Sequence, residues 1–346
     1  MKIAMMSAWN QTSGVSIHAE LVGEEWVKAG HELKVFSFLE DDFHGACLIG
    51  VDQEYVTRCF GTPGRTNYLN PIPFLKEDYD FFVAQDLGML PKDKLAKIFP
   101  HIHRKAKTIL VVNASKLPDD PSFFQFDWDA IVCFDSRYKD FLKQVYPEEK
   151  IHIIPFPCHR WLEGDKEEAR RGLALPSDKK IIFAFGQKWR HISDPEMVGA
   201  LKEISHEYPV RLVILSGAQR VFGFEGLDCE IRKEVLEHPK IYDYLHAADV
   251  TIFGKRSIPG AAVLSSTIHL CLGSGCPILV RDSNFFDFIH EEVFKYKDME
   301  EFKRELVSIF QGSVEVEEKK EAAKRYCEAN SAEKVAQRFI KLFESL

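Results

Sequence analysis

The residues best suited to chemistry gather in one stretch, 248–283. There Lys255 and Arg256 stand in a loop with Pro259 and Gly260, and Ser265 and Ser266 directly precede the apolar run Thr267-Ile268-His269-Leu270-Cys271-Leu272. Serines ahead of such a run read as a helix N-cap. A helix start offers unpaired N–H groups and the positive end of a dipole, so its natural ligand is an anion, above all a phosphate. A helix that merely covers a sheet, its serines only capping, is the alternative, and both readings stay open. Lys188 and Arg190 follow the apolar run Ile181-Ile182-Phe183-Ala184-Phe185-Gly186. Cations at the end of a buried strand pay desolvation unless an anion is near, which makes this pair a second phosphate candidate. Asp86 ends the buried run Phe81-Phe82-Val83-Ala84-Gln85. In doubly wound sheets ligands sit at the carboxyl ends of strands, so Asp86 is, by position, the candidate general base.

The elements that must hold these residues alternate along the chain. Strands are expected at 2–7, 31–38, 80–84, 108–112, 129–134, 150–157, 180–186, 210–215, 250–253 and 276–280, with the sheet continuing through 285–290 and 293–297. Another lies within 47–59. Amphipathic helices are expected at 17–29, 90–107, 136–146, 195–208, 299–310 and 319–346, the last broken near Asn330-Ser331. Strand–helix–strand units of this size build parallel α/β sheets. A chain of 346 residues is too long for one ordinary core and suits two such domains.

Composition removes several function classes. A net charge of −8 argues against general nucleic-acid binding. The eight cysteines include no C-x-x-C pair, so neither a disulfide framework nor a structural zinc site is expected, and the compartment reads as cytosolic. Met1-Lys2-Ile3-Ala4-Met5-Met6 reads as a first strand, not a signal peptide, and no apolar run is long enough to span a bilayer. No G-x-G-x-x-G is present, which disfavours a nicotinamide enzyme. The 90–107 helix carries Lys92, Lys94, Lys97, Arg104, Lys105 and Lys107 against Asp93, with Leu95, Ile98, Phe99 and Ile102 between them. That pattern is either a solvated cationic face or an interfacial membrane helix.

Gly275-Cys276-Pro277-Ile278-Leu279 resembles the Gly-x-Pro-Val-Ile segment of retaining, two-domain (GT-B) glycosyltransferases of the family-4 type. Ser13-Gly14-Val15-Ser16-Ile17-His18 with Gly30-His31 is similar to the family's opening pattern, and 150–157 resembles the strand that ends its first domain. The resemblance implies a GT-B architecture of two doubly wound Rossmann-like domains facing across a cleft. Residues 1–160 plus 331–346 would form the acceptor domain and 161–330 the donor domain. It implies transfer of a hexosyl group from a nucleotide-diphosphate sugar to a hydroxyl, with retention and without metal or further cofactor. Gly14, Lys188, Arg190, Ser265 and Ser266 would meet the donor; Asp86 and Asn113 would be the catalytic positions, Asn113 standing where the family often has histidine. The acceptor would be a sugar, a lipid-linked or another hydroxyl compound. Lipid acceptors suggest peripheral contact through 90–107, at the inner face of the membrane. This chain departs from the pattern where the family carries a pair of glutamates, here Ala262 and Leu270, and at Phe156-Pro157 in place of Asn-Gly. Those departures support the alternative of a catalytically inactive, GT-B-like protein that binds a sugar nucleotide or polysaccharide.

Overall fold

The computed structural model describes the whole chain except Ala46, 187–192, 217–220 and Glu237, and the side chains of His238 and Pro239. The chain divides into two compact units. The first comprises Met1–Pro157, Gly260–Ala262 and Asn330–Leu346; the second comprises Cys158–Pro259 and Val263–Ala329.

The first unit is built on strands β1 (Lys2–Met6), β2 (Glu32–Phe38), β3 (Val56–Phe60), β4 (Phe81–Gln85), β5 (Lys107–Val111), β6 (Ala130–Cys133) and β7 (Ile151–Ile153). They form one sheet in the order β3-β2-β1-β4-β5-β6-β7, every pair parallel. Strands buried on both faces read as unbroken apolar runs, and β4 and β6 are buried at every position. The chain winds outward from β1 in one direction and from β4 in the other, so the topological switch lies between them. In doubly wound sheets that is the point at which loops diverge and ligands bind. Helices α1 (Gly14–Lys28), α2 (Pro71–Lys76), α3 (Lys92–Lys105) and α4 (Ser136–Leu142) join the strands.

The second unit carries β8 (Lys180–Phe185), β9 (Val210–Leu215), β10 (Cys229–Arg232), β11 (Val250–Phe253), β12 (Ile278–Arg281) and β13 (Phe294–Tyr296). Their order is β10-β9-β8-β11-β12-β13, again all parallel, with the switch between β8 and β11. Helices α5 (Lys166–Gly172), α6 (Pro195–Ser205), α7 (His238–Ala247), α8 (Ser266–Leu272), α9 (Met299–Phe310) and α10 (Val314–Ala329) complete it. Two cores flank this sheet, one around Phe183, Tyr244 and α8, the other around Leu201, Ile214 and Phe302.

The sequence reading needs correction at two points. Residues 285–290 form no strand: 284–286 is a single 3₁₀ turn anchored by the fully buried Phe286. The edge strand β10 was not foreseen, because its Cys-Glu-Ile-Arg sequence lacks an apolar run and its pairing comes from β9 alone. The last helical stretch breaks where the sequence suggested, near Asn330-Ser331: α10 and α11 (Ala332–Ser345) are separated at Ser331, whose side chain caps α11 by accepting from Lys334 N. Helix α11 lies in the first unit, where Phe339 and Phe343 pack on Trp26 at ring separations of 5.7 and 5.5 Å.

Candidate functional site

In the second unit the carboxyl ends of β8, β11 and β12 carry Gly186, Lys255 and Arg281. Gly186 adopts φ +116°, a conformation that requires glycine, immediately before 187–192. Lys188 and Arg190 fall in that segment and so lie outside the described residues. Helix α8 is short and buried from Ile268 to Leu272, as its composition requires. Gly275 takes φ +69° after the helix, and a Cβ there would come within 3.1 Å of Trp161, so the Gly-x-Pro turn has a steric cause.

Ser265 is the N-cap of α8 by backbone position, yet its hydroxyl caps nothing. This corrects the expectation that the serine side chains close the helix. Instead Lys255 Nζ donates to Ser265 Oγ at 2.8 Å, and Ser265 is 1 % exposed. Lys255 also lies over the Phe285 ring at 5.1 Å. An ammonium is thus held at the positive end of a helix, where a cation is disfavoured and an anion is welcome. Ser266 is the first helical residue and is partly exposed. Beside this group Arg256 pairs with Asp194, the residue that caps α6, and Arg281 adds a further positive charge near the same carboxylate.

In the first unit Gly14 is the first residue of α1, and Ser13 is the N-cap, accepting from Ser16 N at 3.2 Å. The loop ahead of α1 is fixed by Glu20, which accepts from Asn10 N at 2.8 Å and from Ser16 Oγ. Burial raises the Glu20 carboxyl to about 7, with those hydrogen bonds and Gln11's backbone opposing. Gln11 is 3 % exposed, and both ends of its side-chain amide are buried without a partner. Gly45 lies alongside it: a Cβ there would be 3.6 Å from Gln11 Oε1.

Asp86 stands where β4 ends, at φ +55°, partly buried, with Oδ1 accepting from Gly88 N at 3.1 Å. Burial raises its pKa, while the Gly88 N–H and the charges of His44 and Lys92 pull it down. Its N–H donates to Val111 O at the end of β5, two residues before Asn113. Asn113 Nδ2 is buried and unpartnered. An unmet buried donor or acceptor costs about 1–3 kcal/mol, and three such atoms sit on Gln11, in the loop after β1, and on Asn113, just past β5. Sequence reasoning passed over Gln11, which looked like an ordinary polar loop residue, and gave Lys255 no role of its own.

His18 is fully buried among Phe134, Phe156 and Phe339, and its Nδ1 meets Gln85 Oε1 at 3.0 Å. Burial lowers it to about 4, so it is a neutral packing residue. Phe156, standing in place of the expected asparagine, fills that aromatic cluster. On α3 the residues Leu95, Ile98, Phe99 and Ile102 are buried, Phe99 against Trp128 at 4.7 Å. The apolar side of α3 therefore faces its own core and is not the surface that the amphipathic pattern suggested for lipid. Among the described residues no helix is long and apolar enough to cross a membrane.

No protein-family model matches the chain. Solved structures do. A sucrose-phosphate synthase from Thermosynechococcus elongatus superposes with a TM-score of 0.70 at 14 % identity, covering 100 % of this chain and 98 % of that one. A glycosyltransferase from Rickettsia africae gives 0.67 at 14 %, covering 99 % and 98 %. HepE of Anabaena, solved in complex with UDP-glucose, gives 0.71 at 12 % and covers both chains fully. Identities this low carry the architecture and nothing finer: two parallel α/β sheets in one chain, the GT-B fold that these glycosyltransferases share.

Proposed function

We propose that this protein is a glycosyltransferase, moving a sugar from a nucleotide-diphosphate sugar to a hydroxyl acceptor with retention. The observation that carries the reading is Lys255, held 2.8 Å from Ser265 Oγ at the start of α8. Two positive features converge there, and a diphosphate leaving group would neutralise both. Lys188 and Arg190 are assigned to the same diphosphate from their sequence position after β8. In the reaction the bond between the sugar's anomeric carbon and the diphosphate oxygen breaks, and the diphosphate keeps the electron pair. The acceptor oxygen forms the new bond to that carbon on the face the diphosphate leaves, which keeps the configuration, and gives up its proton. Asp86, whose raised pKa makes it a better base than an ordinary carboxylate, takes that proton. Gln11 and Asn113 orient the acceptor's oxygens. Fixed cations and dipoles suffice to hold the leaving group, so no metal is assigned. Support comes also from HepE, which shares the fold and binds UDP-glucose.

A second reading, binding without transfer, has its own observation. Leu270 is buried inside α8 and Ala262 is buried ahead of it, so neither position can steady a developing positive charge. Incubation with a panel of nucleoside-diphosphate sugars and hydroxyl acceptors, followed by nucleoside-diphosphate release and product mass, separates the two. Turnover supports the enzyme; tight binding without turnover supports the binder. A protein that neither binds nor turns over any nucleotide sugar would overturn both.

A further inference from the structure

We propose that a ridge made by Tyr68, Ile72 and Leu75, with the cationic face of α3 beside it, docks this protein on an anionic lipid surface. Helix α2 is short and stiff: Asn70 caps it by accepting from Ile72 N at 3.1 Å, Pro71 opens it, and Phe74 anchors it in the core. What it leaves outside is apolar. Tyr68, Ile72 and Leu75 are 46 %, 54 % and 43 % exposed, and Ile72 and Leu75 share one helical face. Single exposed apolar residues are ordinary, but three grouped on one short segment are not.

The segment runs along α3 and is tied to it at both ends. Asp93 hydrogen-bonds Asn67 near the start of α3. At its finish Lys105 Nζ donates to Phe74 O at 2.9 Å and Glu77 O at 2.6 Å. The ridge therefore lies beside the outward side chains of α3, where Lys97, His101 and Arg104 are exposed, and Lys76 adds another cation. The local acids are already answered: Glu77 by Lys34 at 3.5 Å, Asp78 by Lys2 at 2.8 Å, Asp93 by Lys94 at 3.1 Å. Among the described residues Lys76, Lys97 and Arg104 have no carboxylate partner. This cationic patch sits on a protein of net charge −8. Apolar tips ringed by cations match the chemistry of an anionic leaflet, where acyl chains take the tips and headgroup phosphates take the charges. A second copy of the chain would set the same cations against one another. The inference does not depend on the catalytic reading, since lipid contact is measured without turnover.

The test is co-sedimentation of the full chain with vesicles of phosphatidylcholine alone or mixed with phosphatidylglycerol, at low and high salt. Binding is expected to the mixed vesicles only and to be released by salt. The double variants I72S/L75S and K97E/R104E should each lose at least about tenfold in partitioning. K233E, an exposed lysine of the second unit, should bind as the wild type does. Thermal melting checks that the variants fold, as expected for exposed positions. Wild-type protein left in solution with mixed vesicles overturns the proposal, as does wild-type partitioning by both double variants. So does a dimer, seen by sedimentation velocity, that I72S/L75S converts to monomer.

Discussion

Replacing Lys255 by methionine separates a phosphate-binding role from a structural one. In the free protein the change removes a hydrogen bond to Ser265, worth about 1 kcal/mol, and a contact with Phe285 worth about 0.5–1 kcal/mol. Against this, it removes a cation from the positive end of α8, a gain of about 0.3–1 kcal/mol, and methionine keeps the apolar stem. The net is a loss of about 0.5–1.7 kcal/mol, a fall of about 1–7 °C in melting temperature. Binding should respond differently. A charged hydrogen bond to a phosphate oxygen contributes about 1.5–3 kcal/mol, so nucleoside-diphosphate affinity should fall by about 12- to 160-fold. Calorimetric titration of wild type and Lys255→Met with a set of nucleoside diphosphates at moderate salt reads this directly. Equal affinity in the two proteins would show that the ammonium meets no phosphate. A collapse in melting temperature would show that the contact with Ser265 is structural.

The other predictions concern the first unit. Asp86→Asn should cut turnover by about 10²- to 10⁴-fold without lowering stability, because it removes a carboxylate that burial disfavours; activity that depends on the charged form should rise with pH through a pKa above the ordinary carboxylate value, and turnover near wild type in the variant would dismiss the base. Glu20→Gln should stabilise by on the order of 3 kcal/mol at about pH 8 and by no more than about 1 kcal/mol at about pH 5. The folded pKa of about 7 lies above the unfolded value, so ionisation penalises the folded state increasingly as pH rises through that window. Urea unfolding at both pH values checks it, and a variant less stable at both would contradict the assignment. Phe339→Ala empties a site packed by Trp26 and His18 and should cost about 3–5 kcal/mol, with α11 becoming the first segment cut in limited proteolysis; a loss below about 1 kcal/mol would mean that the helix does not brace the unit.

The alternation of apolar runs and amphipathic stretches is a local property, and it was enough to determine the parallel α/β class, the two series of strands and most of the helices. Buried parallel strands such as β4 and β6 announce themselves because both faces must be apolar. The same logic made α8 legible as a buried helix and Asp86 as a strand-end residue. It could not find β10, whose membership in the sheet comes from hydrogen bonds to β9 rather than from its own composition.

What only the tertiary structure decided concerns which partner each polar or apolar group meets. The pattern of α3 gives an apolar face and a cationic face, but only packing against Phe126 and Trp128 shows that the apolar one is spent on the protein's own core. Ser265 has the composition of a cap, yet Lys255, ten residues earlier, takes its hydroxyl. Gln11 reads as a loop residue until burial strips its amide of water and leaves both ends unmet. Periodicity along a chain reports which side of an element is dry. The identity of a hydrogen-bond partner depends on segments brought together from far apart in sequence, and no local pattern encodes that.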